Sequence, residues 1–280
     1  MSPLESLMNY APEHKEAYRQ RGQQQMIPWW ATDFGEPEKR AVCAAIDSRC
    51  ISQGKITRQF EEALASRLGV PYVVCTTSGT TALTIALLAV GIRPGGIVAV
   101  PDRTWIATAH AVMMAGATVR VANVDGEGLL DMNDCSLDGL SAIVPVSLNG
   151  REARSWAFPA PHCGDIAWAI AVPNVHDSCQ AFPAPPRGDI ACYSLSVAKI
   201  ISTGQGGFCA TRDHGLYDEL RALRTHDVAD AMVPAVLEWK RFGYNFRFTD
   251  IQAAIGLAQL ARLDERLARI REIHALYKSL

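Results

Sequence analysis

Two polar side chains stand out as capable of chemistry: Lys199, in YSLSVAKII, and Asp177, in VPNVHDSCQ. Lys199 lies among Ser196, Val197, Ala198 and Ile200, small and apolar neighbours. An amine held there loses hydration, and desolvation favours the neutral form that attacks carbonyl carbons. The plainer alternative is a lysine in a surface loop. Asp177 closes an apolar run, Ile170 to Val175, that reads as a buried strand. A carboxylate at that point faces the crevice in which open α/β sheets gather their ligands, although strand-end aspartates also simply cap the next element. A second short strand is expected at Ile190 to Leu195. A loop with Lys199 follows, and then the glycine-rich Gly204-Gln205-Gly206-Gly207.

A third feature is Thr76-Thr77-Ser78-Gly79-Thr80-Thr81, between a β-rich run (Val70 to Cys75) and an apolar helical stretch. Gly79 allows a tight turn, the first-turn amides of the helix are unpaired, and its dipole favours an anion there. Hydroxyls of Thr80 and Thr81 add candidate donors to a phosphate cradle. Alternatively Ser78 is merely an N-cap. The Gly-Lys-Ser/Thr of a Walker loop is absent. Trp105, just past another strand, has a face on which a flat ring can stack, but a single tryptophan also suits a core.

These residues need a frame, and the pattern predicts one. Glu36 to Asp47 and Arg58 to Leu68 read as amphipathic helices, with Phe60, Leu64 and Leu68 at helical spacing and Gly69 as the stop. SQGKITRQ between them is expected to be a loop. A helix from about Thr81 to Val90 is apolar nearly all round and so buried. Strands are expected at Ile97 to Val100, Thr118 to Val121, Ala142 to Val146 and Phe208 to Thr211. Helices are expected at Ile106 to Ala115 and Asp213 to Leu223. Asp125 to Leu140 is turn-rich, Gly150 to Asp165 reads as a loop, and Asp230 to Tyr244 is ambiguous. Thr249 and Gln252 fit a capping box that opens one long final helix, with an apolar stripe continuing through Leu263, Leu267 and Ile270. Such alternation is the βαβ signature of a mostly parallel, doubly wound sheet.

Bulk composition narrows the class. The 280 residues are 49% hydrophobic and 20% charged with a formal net charge of −2, ordinary for a globular protein and without the basic surface that nucleic acid or anionic membranes need. The N-terminus carries no basic-then-apolar signal pattern and no apolar run reaches spanning length. The eight cysteines are scattered without paired-ligand spacing, which favours reduced thiols in a cytoplasmic protein over disulfides or a metal site. His162-Cys163 finds no partner pair.

The order SGTTAL, TWIATAHAV, HDSCQA, YSLSVAK with TGQGG, and GYNFRFTDIQAAIGLAQL resembles the sugar-nucleotide aminotransferases of the DegT type, from about Pro28 to the C-terminus. The resemblance implies the large domain of a fold-type-I pyridoxal-phosphate enzyme, with a mostly parallel seven-stranded sheet flanked by helices. Lys199 matches the lysine that forms a Schiff base with pyridoxal 5'-phosphate and then shuttles a proton. Asp177 matches the partner of the ring nitrogen, Trp105 an aromatic against the ring, and Gln180 a glutamine near the ring hydroxyl. Gly79, Thr80 and Ser194 match phosphate contacts. Asn245 matches an asparagine reaching the phosphate of a neighbouring subunit, which implies a homodimer with shared sites. The implied reaction is ping-pong: glutamate gives its amino group to the cofactor, which aminates a nucleotide-linked keto sugar for amino-sugar and lipopolysaccharide synthesis.

Residues 1–27 are expected to be an N-terminal arm, 28–248 the cofactor-binding domain, and 249–280 a long helix leading to a C-terminal domain that is mostly lacking. SLNGREARSWAFPAPHCGD and LRTHDV depart from the usual pattern. A rival reading follows: a cofactor-binding or regulatory homologue without turnover. A third, a sugar dehydratase, runs against Lys199, because the dehydratases of this type carry histidine there.

Overall fold

The computed structural model describes residues 32–131, 135–153, 172–226 and 242–279. The stretches expected to form an N-terminal arm, most of the 150–165 loop and most of the ambiguous 230–244 segment fall outside those residues.

Among the described residues, helices α1 (Glu36–Asp47) and α2 (Lys55–Leu68) come first. Strand β1 (Tyr72–Thr76), helix α3 (Gly79–Ala89), strand β2 (Ile97–Pro101), helix α4 (Ala107–Met114) and strand β3 (Thr118–Ala122) then alternate. Strands β4 (Ala142–Ile143), β5 (Val175–Asp177), β6 (Ile190–Ser194) and β7 (Gly207–Thr211) follow, then helices α5 (His214–Arg224), α6 (Asp250–Ala261) and α7 (Leu263–Ser279). One sheet runs β3-β2-β4 and another β1-β7-β6-β5. Parallel bridges Ile143–Asn174 and Val146–Asp177 join β4 to β5, so the lateral order is β3-β2-β4-β5-β6-β7-β1. Among the described strands only β7 runs against its neighbours. The expected mostly parallel seven-stranded sheet is therefore present.

Strand alternation builds a core on each face of the sheet. Val74, Cys192 and Cys209 pack with Leu83, Ile85, Val112 and Leu220 under α3, α4 and α5. Val73, Tyr193 and Phe208 pack with Phe60, Leu64, Phe248 and Ala253 under α2 and α6. α3 is buried on nearly every side, as its all-round apolar sequence predicts.

Two expectations are corrected. SQGKITRQ is not wholly a loop: Lys55 to Gln59 already belong to α2. The reason is a cap supplied from afar. Buried Asp250 accepts hydrogen bonds from the amides of Gly54 (2.8 Å), Ile56 (3.2 Å) and Thr57 (2.9 Å) and from the Thr57 hydroxyl (2.7 Å). A carboxylate at a helix N-terminus satisfies its orphan donors and complements its dipole. The final helix is also two helices. Its Thr249–Gln252 capping box forms as expected, but the chain breaks at Arg262, after which Leu263 is buried in the core while Ile270, Leu276 and Tyr277 stand exposed. No helix among the described residues is long and apolar enough to cross a membrane.

Candidate active site

The C-terminal ends of β5 and β6 and the N-terminus of α3 meet at one place. α3 begins because Ser78 caps it: the Thr81 amide donates to Ser78 Oγ (3.1 Å) and the Ala82 amide to the Ser78 carbonyl (3.0 Å). The amides of Gly79 and Thr80 are left as first-turn donors with no intrahelical acceptor. Thr81 is corrected as a ligand donor, since its hydroxyl donates back to the Ser78 carbonyl at 2.9 Å within the cap. The Thr80 hydroxyl has no partner among the described residues.

Gly79 is where the three elements touch. A Cβ there would stand 2.9 Å from Cys179 Sγ and 3.1 Å from Ser194 Cβ, so only glycine lets α3 reach the ends of β5 and β6. Gly207, at the start of β7, lies beneath: its Cβ would fall 2.4 Å from the Ser78 carbonyl carbon and 2.5 Å from the Gly79 nitrogen.

Asp177 ends β5, held through its backbone to Pro145 and Ser147. The residue is 5% exposed. Oδ1 accepts the Cys179 amide (3.1 Å) and Oδ2 accepts the Thr108 hydroxyl (2.8 Å). Thr108 Oγ1 in turn lies 2.7 Å from Thr104 Oγ1. Sequence reasoning missed this threonine pair. Its signal was two hydroxyls four residues apart, Thr104 just before α4 and Thr108 in its first turn, on either side of Trp105.

Lys199 is half-buried in a tight turn, its amide donating to the Ser196 carbonyl (3.0 Å), and Thr32 donates to the neighbouring Val197 carbonyl (3.1 Å). Its ammonium makes no hydrogen bond or ion pair among the described residues. It is nonetheless near the other groups electrostatically. Burial pushes the Cys179 thiol well up, the Asp177 charge pushes it further, and the Lys199 charge pulls it down. One thiol thus feels both Asp177 and Lys199. Next to it, burial pushes the Cys192 thiol well up and the His176 imidazole down, the latter sitting 2.9 Å from the Ser178 hydroxyl.

The remaining expected residues sit at the margin. Gln180 accepts the Asn149 amide through Oε1 (3.0 Å). Trp105 is on the turn before α4 and 70% exposed, so it is not part of the core. Asn245 is exposed, and its Oδ1 accepts from Arg247 Nε (2.9 Å). The structure therefore gathers Gly79, Thr80, Asp177 and Ser194, sets Lys199 within their electrostatic reach, and leaves Trp105, Gln180 and Asn245 at or near the rim. Among the described residues no cluster of His, Cys, Asp and Glu can hold a metal ion.

A model of the DegT/DnrJ/EryC1/StrS aminotransferase family matches residues 32–280. The chain is 35% identical to the GDP-perosamine synthase of Caulobacter vibrioides, over 86% of this chain and 66% of that protein. It is 33% identical to the GDP-perosamine synthase of Escherichia coli O157:H7, over 90% of this chain and 70% of that one. Among solved structures, the sugar aminotransferase CalS13 from Micromonospora echinospora superposes with a TM-score of 0.79 at 29% identity, covering 91% of this chain and 73% of that one. The chain thus spans about two thirds of the length of the relatives it matches.

Proposed function

Because this chain belongs to the DegT/DnrJ/EryC1/StrS aminotransferase family, we propose that it binds pyridoxal 5'-phosphate and, using glutamate as donor, aminates the keto group of a nucleotide-linked sugar. The observation that carries the reading is the meeting of first-turn helix amides with a fixed buried carboxylate, beside Lys199, which acts on the same Cys179 thiol and whose ammonium has no partner among the described residues. These residues fit the cofactor. The amides of Gly79 and Thr80, aided by the α3 dipole and the Ser194 hydroxyl, suit a phosphate, and the missing Cβ of Gly79 lets α3 come this close to Ser194 and Cys179. Asp177 suits a protonated ring nitrogen, Gln180 the ring hydroxyl, and Trp105 a ring face.

Bound pyridoxal 5'-phosphate supplies an aldehyde that carries the amino group and a ring that takes up electrons. Lys199 is the residue whose Nζ would hold the aldehyde of that group. The same Nζ would be the base that takes the proton from the donor's α-carbon and returns one to the acceptor in a ping-pong cycle. Asp177, both of whose oxygens are anchored, would face the ring nitrogen of that group. The relatives' printed names, GDP-perosamine synthase among them, support a nucleotide sugar as acceptor. A role in amino-sugar and lipopolysaccharide synthesis in the cytoplasm goes with that reading.

We read residues 28–248 as the cofactor-binding domain, 1–27 as an arm and 249–280 as the helical passage to a C-terminal domain. Exposed Asn245 is read as completing the phosphate site of a second copy in a homodimer. Mixing Lys199→Ala and Asn245→Ala copies, each inactive alone, then regenerates one intact site in the mixed dimers. The primary test adds glutamate to the cofactor-loaded protein and follows the visible band. Its conversion to the amine form is expected, and either an unchanged spectrum or a Lys199→Ala protein that still transfers the amino group refutes the proposal.

A further inference from the structure

Asp177 is the last residue of a three-residue strand, and its backbone is fixed by Pro145 and Ser147. Only its side-chain torsions remain to be set. The Cys179 amide fixes Oδ1 from within the same turn, a local Asx-type bond. The grip on Oδ2 is of a different kind, since Thr108 belongs to α4, 69 residues away in the chain. Thr108 has a single hydroxyl proton, and the bond to a carboxylate uses it. Its contact with Thr104 therefore runs from Thr104 to Thr108, giving the ordered chain Thr104 to Thr108 to Asp177.

Thr108 is 1% exposed, where a valine of equal shape would be favoured unless the hydroxyl had a partner. Thr84 on α3 gives the local comparison. It returns its hydroxyl to the carbonyl four residues back, Thr80 O, at 2.9 Å, as helical threonines commonly do. Thr108 instead sends its proton across to another element. Trp105 lies three residues earlier on the same turn, so one helix start both holds the acid and carries the aromatic.

Resting on the pyridoxal-phosphate reading above, we propose that Thr108 is a positioning residue: backed by Thr104, it fixes the Asp177 carboxylate in the orientation that meets the ring nitrogen. Asp177 touches the cofactor, and Thr108 acts through it.

The test compares Thr108→Val and Thr108→Ser with the parent protein, by titration with pyridoxal 5'-phosphate and by the ¹⁵N shift of ring-labelled cofactor. Thr108→Val is expected to bind the cofactor roughly tenfold more weakly, the scale of effect seen when an outer hydrogen-bond partner of a site is removed. Its ring nitrogen shifts toward the unprotonated value, and Thr108→Ser restores both readouts. A Thr108→Val protein with parental affinity and nitrogen shift overturns the proposal, and so does a serine variant as impaired as valine. Should Thr108→Val fail to fold, Thr104→Val carries the test: a smaller shift in the same direction supports the relay and no shift overturns it. A parent protein that takes up no pyridoxal 5'-phosphate overturns the reading under Proposed function as well, whereas a binding parent with an unaltered valine variant overturns only the role of Thr108.

Discussion

Gly207→Ala is the sharpest probe of how this fold builds its anion cradle. The new methyl carbon would stand 2.4 Å from the Ser78 carbonyl carbon, 2.5 Å from the Ser78 oxygen and 2.5 Å from the Gly79 nitrogen, whereas ordinary contact begins at 3.4 Å. Every opposing atom is backbone, so no side chain can swing aside and α3 and β7 must part by about 1 Å. β7 cannot yield easily, since Gly207 pairs with Thr76 on one side and Ser194 on the other. α3 cannot either, with Ala82, Leu83, Ile85 and Leu87 all buried. Overpacking of a rigid site costs about 1 to 3 kcal/mol, and the backbone opposition puts this case at about 2 to 3 kcal/mol. In a domain of this size that lowers the Tm by roughly 4 to 12 °C. The Gly79 and Thr80 amides move with the helix. Loss of even one charge-assisted bond, about 1.5 kcal/mol, weakens pyridoxal 5'-phosphate binding by about tenfold or more. Differential scanning calorimetry and a cofactor titration read both effects. Gly126→Ala, with nothing within 4 Å of its Cβ, serves as the neutral control. A Gly207→Ala protein with parental Tm and affinity refutes the argument.

Asp250→Ala strips the cap from α2 and leaves the half-buried donor at Gly54 and the buried ones at Thr57 unpaired; a loss of about 3 kcal/mol is expected in urea unfolding, with Asp250→Asn recovering part of it. Arg224→Met leaves Glu61 without the partner 2.6 Å away, costing about 3 kcal/mol or more, and the double change with Glu61→Gln recovers most of that in the same assay. His176 has its protonation pushed down by burial, so the unfolded chain binds the proton first, and stability is present above about pH 6.5 and falls as the pH drops below it. His176→Gln is expected to flatten the slope of unfolding free energy between about pH 6.5 and 5; an unchanged slope refutes this assignment.

Several features were legible because they are local. The cap at Ser78, the stop at Gly69, the Thr249–Gln252 box and the all-round apolar α3 depend on residues within a turn or two of each other, and the structure repeats them. The candidates Gly79, Asp177 and Lys199 were nameable because strand ends and helix starts recur at fixed places in a doubly wound sheet, whereas Ser194 came only from the family resemblance. Other features were not legible. The start of α2 at Lys55 depends on Asp250, and the orientation of Asp177 depends on Thr108, each partner distant in the chain and carrying no mark of its target. Thr81 looked like a ligand donor because its type allows it, and the cap geometry turned its hydroxyl inward.

By itself the sequence determined the order of the elements, the two faces of each strand and which residue types reach the sheet's crevice, because periodicity and capping act between near neighbours. Tertiary structure alone decided which donors each buried polar group meets and how closely α3 approaches β6 and β7. Those depend on contacts between residues far apart in the chain, where a hydroxyl or a missing Cβ acquires meaning only from what packs against it.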